Sequence, residues 1–161
     1  MKYKDLGCPT ISMQIGDTYV KKVLLDLGAN VNLLPYSIYK QLGLGELKAT
    51  TMTLSLVDRS IKVPRGIVDD VLVWVDKFYY PIDFVVLDTE PLYKWVNFVP
   101  IILGRPVLAT TNVLINCRNG VMQLCFDNMT LELNVFNLSH QQWGRREWRS
   151  MLNWNSYSKA H

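Results

Sequence analysis

Short runs of β-branched and aromatic residues, closed off at short intervals by glycine, asparagine or aspartate pairs, recur along most of this chain, while helical periodicity is scarce. That pattern restricts the fold to an all-β barrel or sandwich with one or two short helices. Ile11 to Ile15 and Thr18 to Leu25 flank Gly16-Asp17, which reads as a hairpin turn. After Asp26-Leu27-Gly28, Asn30 to Leu34 reads as a strand, and Pro35 suits the first turn of a helix over Tyr36 to Leu42 that stops at Gly43. Met52 to Val57 and Ile61 to Arg65, joined by polar Asp58-Arg59-Ser60, form a protruding hairpin. Gly66 to Val75 and Phe78 to Leu87, joined at Asp76-Lys77, are expected to be strands buried on both faces. A loop over residues 88 to 99 leads to a strand at Pro100 to Leu103 and a helical turn or two at Arg105 to Thr110. Val113 to Cys117, Val121 to Phe126 and Met129 to Phe136 then close the domain, with turns at Asn119-Gly120 and Asp127-Asn128.

The chain has 161 residues, enough for one domain and its core but short of two. The pattern places that domain at residues 10 to 136, with a lead-in at 1 to 9 and a polar, basic, tryptophan-containing tail or linker at 137 to 161. No apolar run approaches membrane-spanning length, and Met1-Lys2-Tyr3-Lys4-Asp5 lacks the apolar core of a signal peptide, so an intracellular, cytoplasmic protein with no membrane partner is expected. The formal charge of +3 is confined to the tail: residues 1 to 136 carry thirteen Lys/Arg and thirteen Asp/Glu, whereas the tail carries Arg145, Arg146, Arg149 and Lys159 against Glu147. Nucleic-acid binding therefore has support only there, where Trp143, Trp148 and Trp154 lie among the arginines, and a linker is the preferred reading.

Nucleophile and metal chemistries find little to stand on. His140 and His161 both lie in the tail, which leaves the folded region without a Ser-His or Cys-His pair. Cys8, Cys117 and Cys125 form no C-x-x-C pair, so no metal or disulfide framework is indicated and no cofactor is expected. With Asn119-Gly120 as a two-residue turn, Cys117 would face Met122 and Cys125 would face Leu114, as packing residues. Asp69-Asp70 reads as solvated or salt-bridged strand charge pointing to opposite faces, and Trp74, Tyr79 and Tyr80 read as barrel packing.

Asp26 is different. The triplet Asp-Leu-Gly occurs twice, and a D-x-G triplet arises by chance on the order of once in a chain of this length, so context has to decide between the copies. Asp5 follows charged residues and leads into Cys8-Pro9, as a solvated turn would. Asp26-Leu27-Gly28-Ala29 instead joins Val23-Leu24-Leu25 to the apolar run from Val31 to Leu34, in a tight loop between buried segments. Peptide hydrolysis by carboxylates without metal needs two of them sharing one proton. Only one suitable loop is present, so an active site requires Asp26 from each of two copies about a twofold axis.

Leu24-Leu25-Asp26-Leu27-Gly28-Ala29, followed about 75 residues later by Ile101-Ile102-Leu103-Gly104-Arg105, resembles the retropepsin-like aspartic proteases of long-terminal-repeat retrotransposons and retroviruses, and most of all those of plant Ty3/gypsy-like polyproteins. The resemblance implies a small closed antiparallel β-barrel, active as a homodimer, that cuts extended peptide segments of its own polyprotein. It makes Asp26 the catalytic aspartate in an active-site loop with Leu27, Gly28 and Ala29, with Asn30, Gly104 and Arg105 in support and Asp58, Arg59 and Ser60 at the tip of a flap over bound peptide. Two positions depart from the family pattern. Leu27 replaces the usual Thr or Ser, whose hydroxyl bonds across the twofold axis at roughly 0.5–1.5 kcal/mol per bond, which predicts weaker dimerisation. Asn30 stands where relatives carry an Asp paired with the arginine matching Arg105, so a neutral bond is the most that pair can make. A catalytically degenerate dimerisation or peptide-binding module on the same fold is the alternative.

Overall fold

The computed structural model describes residues 10–55, 59–88, 101–116, 118–126 and 128–134. Its first hairpin follows from glycine chemistry. β1 (Thr10–Ile15) and β2 (Thr18–Leu25) pair antiparallel with Ile15 opposite Thr18, leaving Gly16 and Asp17 as the turn. Gly16 takes φ +55°, a left-handed conformation that only glycine adopts at little cost. β3 (Leu33–Pro35) and α1 (Tyr36–Leu42) follow, and α1 ends at Gly43, whose φ of +62° makes it the helix stop expected from the sequence. Then come β4 (Leu54–Ser55), β5 (Ile61–Lys62), β6 (Gly66–Val75), β7 (Phe78–Leu87), β8 (Ile101–Leu103), α2 (Arg105–Thr110), β9 (Leu114–Asn116), β10 (Val121–Phe126) and β11 (Met129–Asn134).

Six strands close a barrel in the order β1-β2-β8-β3-β7-β6, the architecture expected from the sequence. Four of its pairings are antiparallel, whereas β2 with β8 and β3 with β7 are parallel. β8 is only three residues long, yet it lies between β2 and β3 with every residue buried, so it is the strand around which the barrel closes. β4 and β5 make a separate small hairpin, and β9, β10 and β11 form a three-stranded sheet of their own rather than extending the barrel.

Several local expectations need correction. β6 and β7 are not buried on both faces along their length: Val71, Val73 and Val75 point into the core, while Leu72 and Trp74 point out of the barrel. Trp74 and Tyr79 lie opposite each other on the outer surface, 44% and 60% exposed with ring centroids 4.7 Å apart, instead of packing inside. Asp69 and Asp70 do not simply alternate, because the β6–β7 register shifts between Val68 and Val71 and Asp70 adopts φ +53°. Asp69 pairs with Lys48 and raises its pKa, first through the hydrogen bond and then through charge, while the Asp70 N–H donates to Asp83 Oδ1 at 2.8 Å.

The β9–β10 turn spans four residues, since Val121 pairs with Asn116 and Met122 with Ile115. Side-chain oxygens of Asn116 and Asn119 accept the N–H groups of Arg118 and Val121, which stabilises the longer turn. Cys117 lies outside the described residues. Cys125 is half-buried, 3.8 Å from Thr130 Oγ1. The expected strand from Asn30 begins only at Leu33, and the lead-in, the tail and most of the expected 88–99 loop lie outside the described residues.

Tyr80, beside the exposed pair, is partly buried, and burial pushes its hydroxyl up to about 12 from 10.0. The folded-state value exceeds the unfolded one, so this contribution to stability is fully present below pH 10.0 and is lost as pH rises through about 12. In denaturant titrations, Tyr80→Phe should flatten the alkaline loss of stability over that window, the difference from wild type amounting to at most about 2–3 kcal/mol.

Candidate active-site loop

β2 delivers Asp26 at its carboxyl end, half-buried, where the parallel pairing to β8 stops at Leu25 opposite Leu103. The ladder continues by one more bond, from the Asp26 N–H to the Leu103 carbonyl at 2.9 Å. The chain then reverses sharply. The Ala29 N–H donates to the Asp26 carbonyl at 3.2 Å, and the Gly28 N–H donates to Asp26 Oδ1 at 2.8 Å. One carboxylate oxygen is thereby held by its own loop, as a charge-assisted bond that fixes the side-chain direction. A Cβ at Gly28 would lie 3.1 Å from that oxygen, so the glycine gives the carboxylate its room.

The far side of the loop is fixed by the segment after β8. The Arg105 backbone N–H donates to the Ala29 carbonyl at 2.8 Å, while the arginine side chain is exposed. Gly104 packs so closely behind the loop that a Cβ there would fall 2.6 Å from the Ala29 oxygen and nearer still to that of Val31. The two sequence motifs, about 75 residues apart in the chain, are thus brought into backbone contact. Asn30 is half-buried at the loop exit.

Sequence reasoning missed one residue here. Asn32 is 4% exposed, and its amide is used at both ends: Oδ1 accepts the Gly104 N–H at 2.9 Å, and Nδ2 donates to the Asp83 carbonyl at 3.1 Å. Its backbone carbonyl also accepts the Val85 N–H at 2.8 Å. Asn32 therefore ties the Gly104 turn to β7 behind the loop. The available signal was an amide inside the apolar run Val31 to Leu34, since a buried polar side chain is retained only where it is bonded. Asn32→Leu should cost about 2–4 kcal/mol in denaturant unfolding, because it strands the Gly104 N–H and the Asp83 carbonyl.

The hairpin expected to serve as a flap is present but short, with Leu54 opposite Lys62 and Ser55 opposite Ile61. Arg59 adopts φ +63° near its tip with Ser60 beside it, and Asp58 lies outside the described residues. Leu54 is buried in a cluster with Leu24, Ala29, Val31, Leu33 and Ile102, so the base of the hairpin and the strands around Asp26 share one apolar support. Among the described residues no group of three His, Cys, Asp or Glu side chains could hold a metal ion, and no helix is long and apolar enough to cross a membrane.

The closed six-stranded barrel with its short helices is the retropepsin-like fold. The retroviral protease-like domain of Ddi1 from Leishmania major is similar in structure, with a TM-score of 0.58 at 16% identity over 78% of this chain and 93% of that one. The EIAV protease complexed with the inhibitor HBY-793 overlaps less well, with a TM-score of 0.39 at 21% identity over 68% of this chain and 92% of that one. No family model and no curated protein matches the sequence.

Proposed function

We propose that this chain is one subunit of a homodimeric aspartic endopeptidase of the retroelement type, in which Asp26 pairs with Asp26 of a second copy. The observation that supports this reading most is the bracing of the Asp26 loop, by Leu103 at its start and by Arg105 at its end, with Gly28 holding the carboxylate. A half-buried acid fixed in this way and accompanied by an exposed apolar neighbour suits a meeting of two loops better than a solvated turn.

In the dimer the two carboxylates share one proton. The ionised member takes a proton from water as the water oxygen bonds to the peptide carbonyl carbon, and the protonated member gives its proton to the carbonyl oxygen. Collapse of the tetrahedral gem-diol breaks the C–N bond: the carboxyl that took the water proton gives it to the leaving amine, and the other carboxylate takes a hydroxyl proton from the gem-diol, which releases the carboxylic acid and restores the shared-proton dyad. No cofactor enters. The β4–β5 hairpin would close over an extended substrate, excluding water and offering backbone hydrogen bonds. The substrate class is the polyprotein carrying the domain, by resemblance that of a plant Ty3/gypsy-like element, with residues 10–136 as the catalytic unit and 137–161 as linker. Cytoplasm or retroelement particles are the proposed location.

Purified protein should cleave a peptide spanning its own polyprotein junctions at mildly acidic pH and be blocked by a hydroxyl-bearing transition-state mimic. A catalytically silent module on the same fold is the second reading, favoured by Leu27, which removes a hydroxyl from the loop. Binding of the mimic without any cleavage, in a preparation shown to be dimeric, would favour that reading.

A further inference from the structure

Within the Asp26 loop, Leu27 and Gly28 are both exposed, so the one side chain larger than hydrogen that the exposed corner presents is apolar. Leu27 is 57% exposed, although Leu25 and Ala29 on either side are 4% and 3% exposed. Its position is enforced by the loop: Asp26 is bonded to Leu103, Ala29 to Arg105, and the Gly28 N–H closes onto the Asp26 carboxylate. With both ends held to the barrel, the leucine at the corner cannot turn inward without breaking those bonds. It stands as an exposed apolar side chain on a braced backbone, next to Asp26 in the chain.

We infer that Leu27 is a dimer contact, packing against Leu27 of a second copy across the twofold axis and drawing the two Asp26 loops together by burial of apolar surface. This rests on the dimeric reading above and deepens it. Two carboxylates that share a proton must approach to about 3 Å. Consecutive Cα atoms are about 3.8 Å apart, so a second chain that brings its Asp26 to this one also brings its Leu27. A twofold axis makes the contact isologous, with the same side chain on both sides. The larger exposed apolar row, Tyr19, Trp74 and Tyr79, lies toward the opposite end of β2 from Asp26 and cannot serve this contact. An apolar contact of this kind replaces a hydroxyl bridge, and it reverses the sequence-based expectation that Leu27 weakens the dimer. Its association should be insensitive to salt and accompanied by a negative heat-capacity change.

Sedimentation equilibrium of the full chain and of Leu27→Ala, Leu27→Asp and Leu27→Met tests this, alongside cleavage of the junction peptide. Leu27→Ala should raise the dimer dissociation constant about tenfold or more, and Leu27→Asp should raise it further by adding two like charges beside the dyad. Leu27→Met, which keeps the apolar volume, should dimerise within a few-fold of wild type. An unfolding midpoint near wild type shows that each variant is folded, as an exposed position predicts. Wild-type dimerisation in Leu27→Ala, with or without a change in KM for the peptide, would overturn the contact while leaving the dimeric protease intact. A wild-type chain that stays monomeric even with the transition-state mimic would overturn both.

Discussion

Asp26→Asn should abolish peptide hydrolysis, lowering kcat/KM by about 10³-fold or more, while leaving the barrel folded. The amide oxygen of asparagine can still accept the Gly28 N–H that Asp26 Oδ1 accepts at 2.8 Å, so the loop keeps its geometry. Its NH₂ end cannot accept a proton from water, and no proton can be shared across the axis. The variant therefore separates chemistry from structure: circular dichroism and unfolding midpoints near wild type, with cleavage of the junction peptide lost. Cleavage that persists in this variant would sink the mechanism, because no second carboxylate loop with the same bracing is present among the described residues.

Gly104→Ala should be the most damaging small substitution for stability, at about 3–5 kcal/mol and on the order of 10 °C in the thermal midpoint. The added carbon would meet the backbone oxygens of Ala29 and Val31, and backbone held in a closed barrel cannot retreat as a flexible side chain would. Relief would require the loop and the turn to separate, breaking the bonds from the Arg105 N–H to Ala29 and from the Gly104 N–H to Asn32. Gly28→Ala makes a useful contrast. Its added carbon would meet only the Asp26 carboxylate oxygen at 3.1 Å, and a side chain can give way, so stability should fall little while the carboxylate is displaced. A Gly104→Ala protein as stable as wild type in chemical denaturation would contradict the close packing of the two motifs.

What the sequence made legible follows from the kind of signal each feature carries. Strands with clear turn chemistry were readable to the residue: β2, β6, β7 and β10 have the expected bounds, as do α1 and α2. The contact of the Asp26 loop with Leu103 and of Ala29 and Val31 with Gly104 has no local signal, since nothing in Ile101 to Arg105 by itself points to a loop about 75 residues earlier. Three things were not readable, for different physical reasons. Trp74 and Tyr79 suit a strand's inner and outer faces equally, and their side depends on the bulge at Asp69-Asp70, which alters the alternation along β6. Asn116 and Asn119 lengthen their turn by side-chain bonding that a two-residue Asn-Gly reading overlooks. Asn32 has no periodicity to announce it, because its role is set by partners on β7 and at the Gly104 turn, both distant in sequence.

The central claim is that the active site exists only when two copies of the chain each supply Asp26. Its most direct measurement is a titration of the protein with a tight, hydroxyl-bearing transition-state mimic, with the stoichiometry read by calorimetry and the mass of the complex by sedimentation. A shared dyad predicts one inhibitor per two chains and a complex of twice the 18.6 kDa chain mass. One inhibitor per chain on a monomer, or no binding to a preparation shown to be dimeric, would contradict it.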